Sequence, residues 1–383
     1  LKMKGYILFL LLIIQTFQKS DVYFTKEISG EKIVDMFKKL NINLEGNIGL
    51  KVHTGERDGP YFLRPSLLKN IYDYTKGTFI ECNTAYLSGK RHTTPLHEET
   101  LKINGWTDYR IVLMDKNETN DYTLEIKNGH NITENYVGEH LKDFNSCLVL
   151  AHFKGHRMGG FGGAMKQLSI GFASRQGKAH IHSGGYTRDY VAMWNHTANQ
   201  LNFTAAMADA ASTIVNKFKN DGGIAYINVL ANISTICDCG GKSAPEPKIR
   251  DIGILASLDP IAIDQACYDL IAKEDTNGSK AWINQAETLL GLNILKVGEE
   301  LGIGTRDYNL IDLESDDADN GDKDDNLTYI ILGVIGGILF IGLIILIIAI
   351  YMKKKSKKNE EISEETGLIR DSTLDKGVES KAE

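Results

Sequence analysis

The chain has 383 residues and a net charge of −7, and 42% of its residues are hydrophobic. That length suffices for one or two domains with a substantial core. The acidic balance, without a basic stripe that alternates with aromatic residues, argues against a general nucleic-acid binder, so no nucleic-acid partner is expected.

The first predicted element is a secretory signal over residues 1–20. An apolar run from Gly5 to Ile14 follows Lys2 and Lys4, which is typical of such signals. Because no small-x-small cleavage pattern follows, an uncleaved N-terminal anchor stays open as the alternative.

Strand-like and helix-like patterns then alternate over residues 21–313. The sequence predicts strands over residues 48–52, 78–81, 109–114, 147–151, 224–231 and 251–256. It predicts helices over residues 31–40, 64–74, 92–104, 137–143, 164–170, 203–218, 259–272 and 278–301, the last with a break near Gly291. This alternation indicates an α/β fold with a single mixed or largely parallel sheet flanked by helices. His180 and His182 would share one side if their segment is extended.

The C-terminal part predicts a membrane anchor. Residues 314–328 are rich in Asp, Glu, Asn and Gly, as in a solvated acidic stalk. Residues 329–351 are uncharged and strongly apolar, and as one helix they would be about 35 Å long, enough to cross a bilayer. Lysines follow at once, so residues 352–383 form a predicted cytosolic tail. The expectation is a type I single-pass membrane protein whose residues 21–313 form a lumenal or extracellular α/β domain.

Two kinds of short motif agree with that topology. Seven asparagines head Asn-x-Ser/Thr sequons on the outer side and are predicted glycosylation sites: Asn117, Asn131, Asn195, Asn202, Asn232, Asn277 and Asn326. In the tail, Glu364, Leu368 and Ile369 match an acidic dileucine pattern that binds sorting adaptors. The predicted location is therefore the plasma membrane or an endosomal or lysosomal membrane.

Polar residues follow several predicted strands. In open α/β sheets, ligands bind outside the carboxyl ends of parallel strands, so residues at these points should share one rim. The residues in question are His53 and Glu56, Asn83 and Thr84, His152, Lys154 and His156, Asn232 with Cys237 to Cys239, and Ser257 with Asp259. We expect His53, Glu56, His152, Lys154 and His156 to supply acid/base groups, and Asn83 and Asn232 to bind the ligand.

The spacing His152-x-x-x-His156 also fits a metal site. Imidazoles are common metal ligands, and His53 or Glu56 could complete the set. The alternative is that both histidines are hydrogen-bonded in a polar loop. Cys237-x-Cys239 could be a thiolate pair for a soft metal ion, a strained redox disulfide, or part of a structural disulfide with Cys267 or Cys82.

A glycine-rich stretch follows the predicted strand at residues 147–151. Gly159, Gly160, Gly162 and Gly163, with Lys154, Arg157 and Lys166, could cradle a phosphate or carboxylate. The spacing matches neither a Walker loop nor the dinucleotide fingerprint, so a nucleotide is not indicated. The alternative is a tightly turned loop without a ligand.

Six motifs stand in a characteristic order along the chain: His53 to Glu56, Asn83 to Tyr86 with Gly89 and Arg91, His152 to Gly163, Cys237 to Cys239, Asp251 to Pro260, and Gly302 to Tyr308. Together they resemble the family called domain of unknown function 362. The resemblance covers residues 45–313. It implies that these motifs are the core machinery of an uncharacterised domain.

Many members of that family carry a ferredoxin-like segment that binds iron–sulfur clusters. The segment usually follows the position of residues 180–202, and no Cys-x-x-Cys-x-x-Cys occurs in this sequence. A ferredoxin-type iron–sulfur cluster is therefore not expected. A membrane-anchored version departs from the common cytosolic form.

Two hypotheses follow. In the first, the lumenal domain binds a divalent metal ion or a small anionic ligand and performs metal-assisted chemistry. In the second, the domain is a surface recognition or adhesion protein that uses the fold as a non-catalytic scaffold.

Overall fold

A computed structural model describes residues 19–117, 120–235, 240–314 and 351. Those from 19 to 314 belong to one compact unit. Outside the described residues lie nearly all of the predicted signal, stalk, span and tail, as well as Asn326, the sorting motif, Cys237 and Cys239. Within the described residues, no helix has both the length and the apolar character needed to span a bilayer.

An eight-stranded sheet forms the centre of the domain. The described residues form twelve strands: β1 Ser20–Thr25, β2 Ile48–Lys51, β3 Thr78–Glu81, β4 Ile111–Leu113, β5 Asp121–Glu125, β6 Glu134–Gly138, β7 Ser146–His152, β8 Lys154–His156, β9 Gly160–Gly162, β10 Ile224–Leu230, β11 Gly253–Ser257 and β12 Tyr308–Asp312. The order in the main sheet is β12-β1-β11-β10-β7-β2-β3-β4, and β11 alone among these eight runs antiparallel to its neighbours. The pairs β5–β6 and β8–β9 form two small antiparallel ribbons.

Helices cover both faces of this sheet. They are α1 Gly30–Lys39, α2 Pro65–Thr75, α3 Thr94–Ile103, α4 Ala164–Lys166, α5 Arg175–His182, α6 Gln200–Asn220, α7 Pro260–Lys273, α8 Asn277–Thr288 and α9 Asn293–Glu300. One π-helical turn, Gln167–Gly171, continues α4. The predicted α/β fold with a largely parallel sheet is thus confirmed.

The alternation of side chains along β7 separates two apolar layers. Leu148 and Leu150 pack on the face covered by α1, α2 and α3, whereas Val149 and Ala151 pack on the face covered by α6 and α7. All four are fully buried. Burying a leucine side chain contributes about 1.5–3 kcal/mol, so this central strand ties both layers of the core to one element.

The structure corrects several predicted elements. The predicted helix over residues 137–143 is the end of β6 followed by a 3-10 turn, Glu139–Asp143. Strands β1 and β12 were not predicted, and β1 begins at Ser20, the last residue of the predicted signal. His180 and His182 lie on helix α5, where a spacing of two places side chains on different sides.

The reversed direction of β11 separates two residues from the predicted rim. Ser257 pairs with Tyr226, near the start of β10, and Asp259 follows as the N-cap of α7. Both therefore lie at the edge of the sheet opposite to the carboxyl ends of β2, β3, β7 and β10. The prediction that they join the other strand-end residues is wrong.

The predicted glycosylation sites differ in exposure. Asn117, Asn195, Asn202, Asn232 and Asn277 are exposed. Asn131 is half-buried, and its side-chain amide donates a hydrogen bond to the carbonyl of Gly184 over 2.9 Å. A glycan on Asn131 would have to replace that bond, so this sequon is the least suited of the six described.

Candidate functional site

A cavity of about 490 Å³ opens at the carboxyl ends of three parallel strands. His53 follows β2, Glu81 ends β3, and His152 ends β7. The β8–β9 ribbon, the turn from α4 into the π-helix, and α5 form the other walls. This is the edge at which open α/β sheets bind ligands.

A buried ion network forms the floor of the cavity. The fully buried Lys51 ammonium donates to the carbonyl of Val52 (2.6 Å), to Glu81 Oε1 (2.8 Å) and to Gln167 Oε1 (2.9 Å). Glu81 Oε2 also accepts from the backbone N–H of Thr54 over 3.1 Å. The Glu81 carboxylate is thus satisfied before any ligand arrives.

A second ion pair lies beside the first. Arg91 Nη2 is 2.5 Å from Glu56 Oε1, and Arg91 Nη1 is 3.6 Å from Glu81 Oε2. The Tyr86 hydroxyl donates to Glu56 as well. Burial works to raise the pKa of Glu56, but the Arg91 guanidinium and the hydroxyl hold it below the usual range. Glu56 is therefore an ionised partner of Arg91 behind the wall and does not line the cavity.

Cationic side chains dominate the lining of the cavity. They are Arg91, Lys154, Arg157, Lys166 and Lys178. Among the lining residues that the structure describes, Glu81 is the single carboxylate. The cavity therefore presents a positive field to any ligand that enters it.

The lysines of this wall perturb one another. Burial and the neighbouring Lys166 lower the pKa of Lys154 well below its ordinary value. Burial also lowers the pKa of Lys166 to about 8, and Lys178, Lys51 and Arg91 add to the shift, although Glu81 opposes it. An ideal Cβ built at Gly162 would lie 3.6 Å from Lys166 Cδ and 4.0 Å from Lys154 Cγ, so the two lysines flank this glycine. Without a ligand, the site thus holds several basic side chains close together where burial partly excludes water.

The hydrogen bonds of His156 and His182 assign their tautomers. His156 Nδ1 accepts from the backbone N–H groups of Met158 (3.2 Å) and Gly159 (3.0 Å), so the proton of the neutral ring is on Nε2. His182 Nδ1 donates to the carbonyl of Lys178 over 2.7 Å, which leaves a lone pair on Nε2. Both rings line the cavity, one offering an N–H donor and the other an acceptor.

His53 and His152 are also neutral rings. His152 Nε2 donates to the carbonyl of Ala231 over 2.6 Å, and burial, with Lys154, lowers the pKa of His152 to about 3. His53 Nδ1 lies 3.1 Å from the Gly55 N–H, and its Nε2 lies 3.1 Å from Arg91 Nη2. Burial and Arg91 lower the pKa of His53 well below its ordinary value. Both neighbours of His53 are donors, and a neutral ring can accept from only one of them, so protonation of the second nitrogen would leave the ring with no acceptor and with donors on both sides.

The helix that carries Lys166 is fixed at both ends. Asp264, fully buried, accepts from the N–H groups of Ala164 (2.8 Å) and Met165 (2.9 Å) at the start of α4. A Cβ at Gly163 would lie 2.4 Å from Asp264 Oδ1, so only glycine fits there. The hydrogen bond from Lys51 holds Gln167, the next residue after Lys166. Lys166 therefore projects from a rigid support.

The predicted glycine loop is the β8–β9 ribbon. Gly162 and Gly163 line the cavity, whereas Gly159 and Gly160 form the turn and do not. Gly160 has a φ of +75° and packs against Gly291, which explains why a glycine is needed there. The stretch is thus a turned ribbon that carries Lys154 and His156, and not a phosphate loop at the N-terminus of a long helix.

The structure brings together six of the predicted site residues, and several other predicted site residues that it describes do not line the cavity. His53, His152, Lys154, His156, Gly162 and Gly163 share the cavity. Asn83 is fully buried behind it, where its backbone N–H donates to Asp115 and its side chain to Thr94. Asn232 is exposed, with a φ of +50°, and its N–H donates to Asp251. Neither asparagine lines the cavity.

Sequence reasoning missed Lys51, Glu81 and Trp194. A lysine inside an apolar strand signals a buried charge that needs a partner, and Glu81 stands at the end of the next strand. Trp194, 46% exposed, lies at the cavity wall, but its short 3-10 helix has no pattern that marks it.

The histidine geometry is unfavourable for the predicted metal site. A metal-binding imidazole usually donates its second N–H to an acceptor, whereas His156 Nδ1 accepts and its Nε2 carries the proton. In the described parts of the chain, no group of three or more His, Cys, Asp or Glu residues could hold a metal ion. Cys237 and Cys239 lie outside those parts.

Two solved structures are similar to this chain at low identity. One is a protein from Thermotoga maritima, with 14% identity and a TM-score of 0.35, over 71% of this chain and 59% of that one. The other is the lactate racemase apoprotein from Thermoanaerobacterium thermosaccharolyticum, with 13% identity and a TM-score of 0.38, over 65% and 57%. The chain spans less than two thirds of the length of either structure.

No curated protein matches the chain. One family model does, over residues 48–269, which is more than half of the chain and includes His53, Glu81, Lys166 and Lys178. The protein therefore belongs to the family described as Domain of unknown function (DUF362).

Proposed function

We propose that the cavity binds a small ligand that bears a carboxylate or a phosphate. The observation that carries this proposal is the wall of five cationic side chains, set against Glu81, the single carboxylate among the described lining residues, which already pairs with Lys51. An anion entering such a wall gains attraction from several charges at once. At an effective dielectric constant of about 20, one charge pair at about 4 Å contributes about 4 kcal/mol before desolvation is subtracted.

The neutral imidazoles supply acid/base groups for the proposed site. His156 Nε2–H can donate to a ligand oxygen, and His182 Nε2 can accept a proton from the ligand. We propose His156 and His182 as the acid and the base. His152 and His53 are held by Ala231 and Arg91, so we assign them to the positioning of the wall.

The predicted divalent metal ion remains a separate proposal. It would need His152 and His156 to join Cys237 and Cys239. The positive wall works against it, because five neighbouring cationic side chains repel a divalent cation. Elemental analysis of the purified chain, with His156→Ala as the control, tests it: a stoichiometric metal that is lost in the variant would support the metal site.

Calorimetric titration tests the anion proposal. Sulfate represents a phosphate dianion that does not titrate near neutral pH, and malonate represents a dicarboxylate. Lys166→Met should weaken the binding of at least one probe by about tenfold or more, as expected when one charge-assisted hydrogen bond is lost. The matched control is Lys296→Met, since Lys296 is 64% exposed on α9. Equal affinity in the native chain and in Lys166→Met would contradict the proposal.

We also propose that the domain is lumenal or extracellular and is anchored by residues 329–351, in the plasma membrane or an endosomal or lysosomal membrane. The apolar run with lysines after it supports this topology. The five exposed sequons are compatible with glycans. We expect the chain to be recovered in the membrane fraction and to migrate faster on a gel after glycosidase treatment. Recovery of the chain entirely in the soluble fraction, with no change in mobility after the treatment, would refute the proposal.

A further inference from the structure

Lys166 is distinguished from the other lysines of the cavity by its contacts. The Lys51 ammonium is held by Glu81, and the Lys178 ammonium donates to the carbonyl of Ala173 over 2.5 Å. In the part of the chain that the structure describes, the Lys166 ammonium has no hydrogen bond or ion pair, although it lines the cavity. The described residues thus build a rigid support for Lys166 and give its amine no partner among themselves.

The surroundings of Lys166 suit a nucleophilic amine. Burial and the nearby cations Lys178, Lys51 and Arg91 favour the uncharged form of Lys166, which is how enzymes activate a lysine towards carbonyl carbons. The neighbouring imidazoles are neutral and can move protons. The cationic wall would hold an acidic group of the same ligand.

We propose that Lys166 forms a covalent imine with a small aldehyde or ketone that carries a carboxylate or phosphate. The proposal rests on the anion-binding function proposed above and adds a substrate class and a catalytic residue to it. The apolar side chains of Ile170, Met193 and Trp194 in the same wall leave room for a short carbon skeleton.

The step balances without an external oxidant or reductant. The lone pair of the Lys166 amine forms a C–N bond with the carbonyl carbon, and the carbonyl oxygen takes up a proton. The nitrogen loses a proton to give the carbinolamine, whose hydroxyl takes up a second proton and leaves as water as the C–O bond breaks. The nitrogen gives up its remaining proton as the C=N bond of the imine forms. His156 Nε2–H can hydrogen-bond the oxygen as negative charge develops, and His182 Nε2 can accept the proton released by nitrogen.

Reductive trapping tests this inference on the full-length chain. The protein is incubated with pyruvate or with dihydroxyacetone phosphate as the carbonyl probe, sodium borohydride is added, and peptides are mapped by mass spectrometry. Hydride reduces an imine to a stable secondary amine, so the adduct should appear on the peptide that contains Lys166. The preferred probe tells whether the natural ligand carries a carboxylate or a phosphate.

The variant Lys166→Arg separates the covalent step from binding. A guanidinium keeps the positive charge but is not a nucleophile. We expect this variant to lose the trapped adduct to background even when the carbonyl probe is supplied at a concentration that saturates the variant's own binding, as measured by calorimetry. Lys296→Met should trap as much as the native chain.

Three outcomes would overturn the inference. The first is a native chain that binds anions but yields no adduct with either probe, which refutes the imine and leaves the binding proposal intact. The second is an adduct mapped to another lysine. The third is an adduct of equal yield in Lys166→Arg. If neither anions nor carbonyl probes bind, the binding proposal itself fails.

Discussion

Removing the Lys51 side-chain charge should destabilise the fold more than any surface substitution. Lys51 is fully buried at the end of β2, and its ammonium makes three hydrogen bonds, to Val52, Glu81 and Gln167. In Lys51→Met, a side chain of similar length stays in the apolar strand, but the Glu81 carboxylate loses its closest cation.

The size of the loss in the free energy of unfolding depends on the contacts that the Glu81 carboxylate keeps in Lys51→Met. Deleting one partner of a buried ion pair costs about 3–5 kcal/mol. Arg91 at 3.6 Å and the N–H groups of Thr54 and Cys82 still contact the carboxylate, so we expect the lower part of that range, about 3 kcal/mol. With a urea slope of about 3 kcal/mol per molar, the unfolding midpoint should fall by about 1 M.

A double-mutant cycle separates the charge effect from packing. Glu81→Gln removes the stranded charge, so Lys51→Met with Glu81→Gln should recover about 1–2 kcal/mol relative to Lys51→Met alone. Lys296→Met, which breaks an exposed pair with Glu300, should leave the midpoint unchanged. A loss below about 1 kcal/mol in Lys51→Met, or no recovery in the double variant, would refute the reasoning.

Three further predictions concern the glycines and the pH response. Gly155→Ala places a Cβ 1.7 Å from the Thr235 carbonyl oxygen and should lower the melting temperature. In Gly162→Ala the new Cβ meets only contacts of 3.6 Å or more, so the melting temperature should stay unchanged while sulfate binding, measured by calorimetry, becomes weaker. Because the pKa of Lys166 is about 8, its charge returns as pH falls, so sulfate affinity should rise from about pH 9 to about pH 7, and Lys166→Met should lose this rise. Burial lowers the pKa of His152 to about 3, against ~6.5 in an unfolded chain. The contribution of His152 to the free energy of unfolding is therefore present above about pH 6.5 and is lost as the pH falls towards 3. Urea unfolding at several pH values should show that the free energy of unfolding falls less steeply with decreasing pH in His152→Asn.

The central strands could be predicted because their patterns are local. The apolar run over residues 147–151 reads as a buried strand on its own, and β7 contains it. Strands β1 and β12 could not, because they form by pairing with segments far along the chain: Ser20 lies opposite Tyr308, and Val22 opposite Ser257. Such pairing leaves no periodic signal within six residues.

The expectation that ligands bind at the carboxyl ends of parallel strands identified the correct edge of the sheet, but it did not identify all of the residues that line the cavity there. It selected His53, His152 and Lys154, which share the cavity, because residues that follow parallel strands meet at one edge. It also selected Asn232, which turns away at a positive φ, and Ser257, on the one reversed strand. Strand direction is a long-range property, so the sequence could not separate these cases.

The crowding of like charges in the cavity makes thermal stability a reporter of the natural ligand. A compound that binds the folded chain alone raises the free energy of unfolding by about 2.7 kcal/mol at a hundred times its Kd. Relief of repulsion between Lys154 and Lys166 would make the shift selective for acidic metabolites. A melting screen of such compounds can therefore rank candidate substrates before any turnover assay exists.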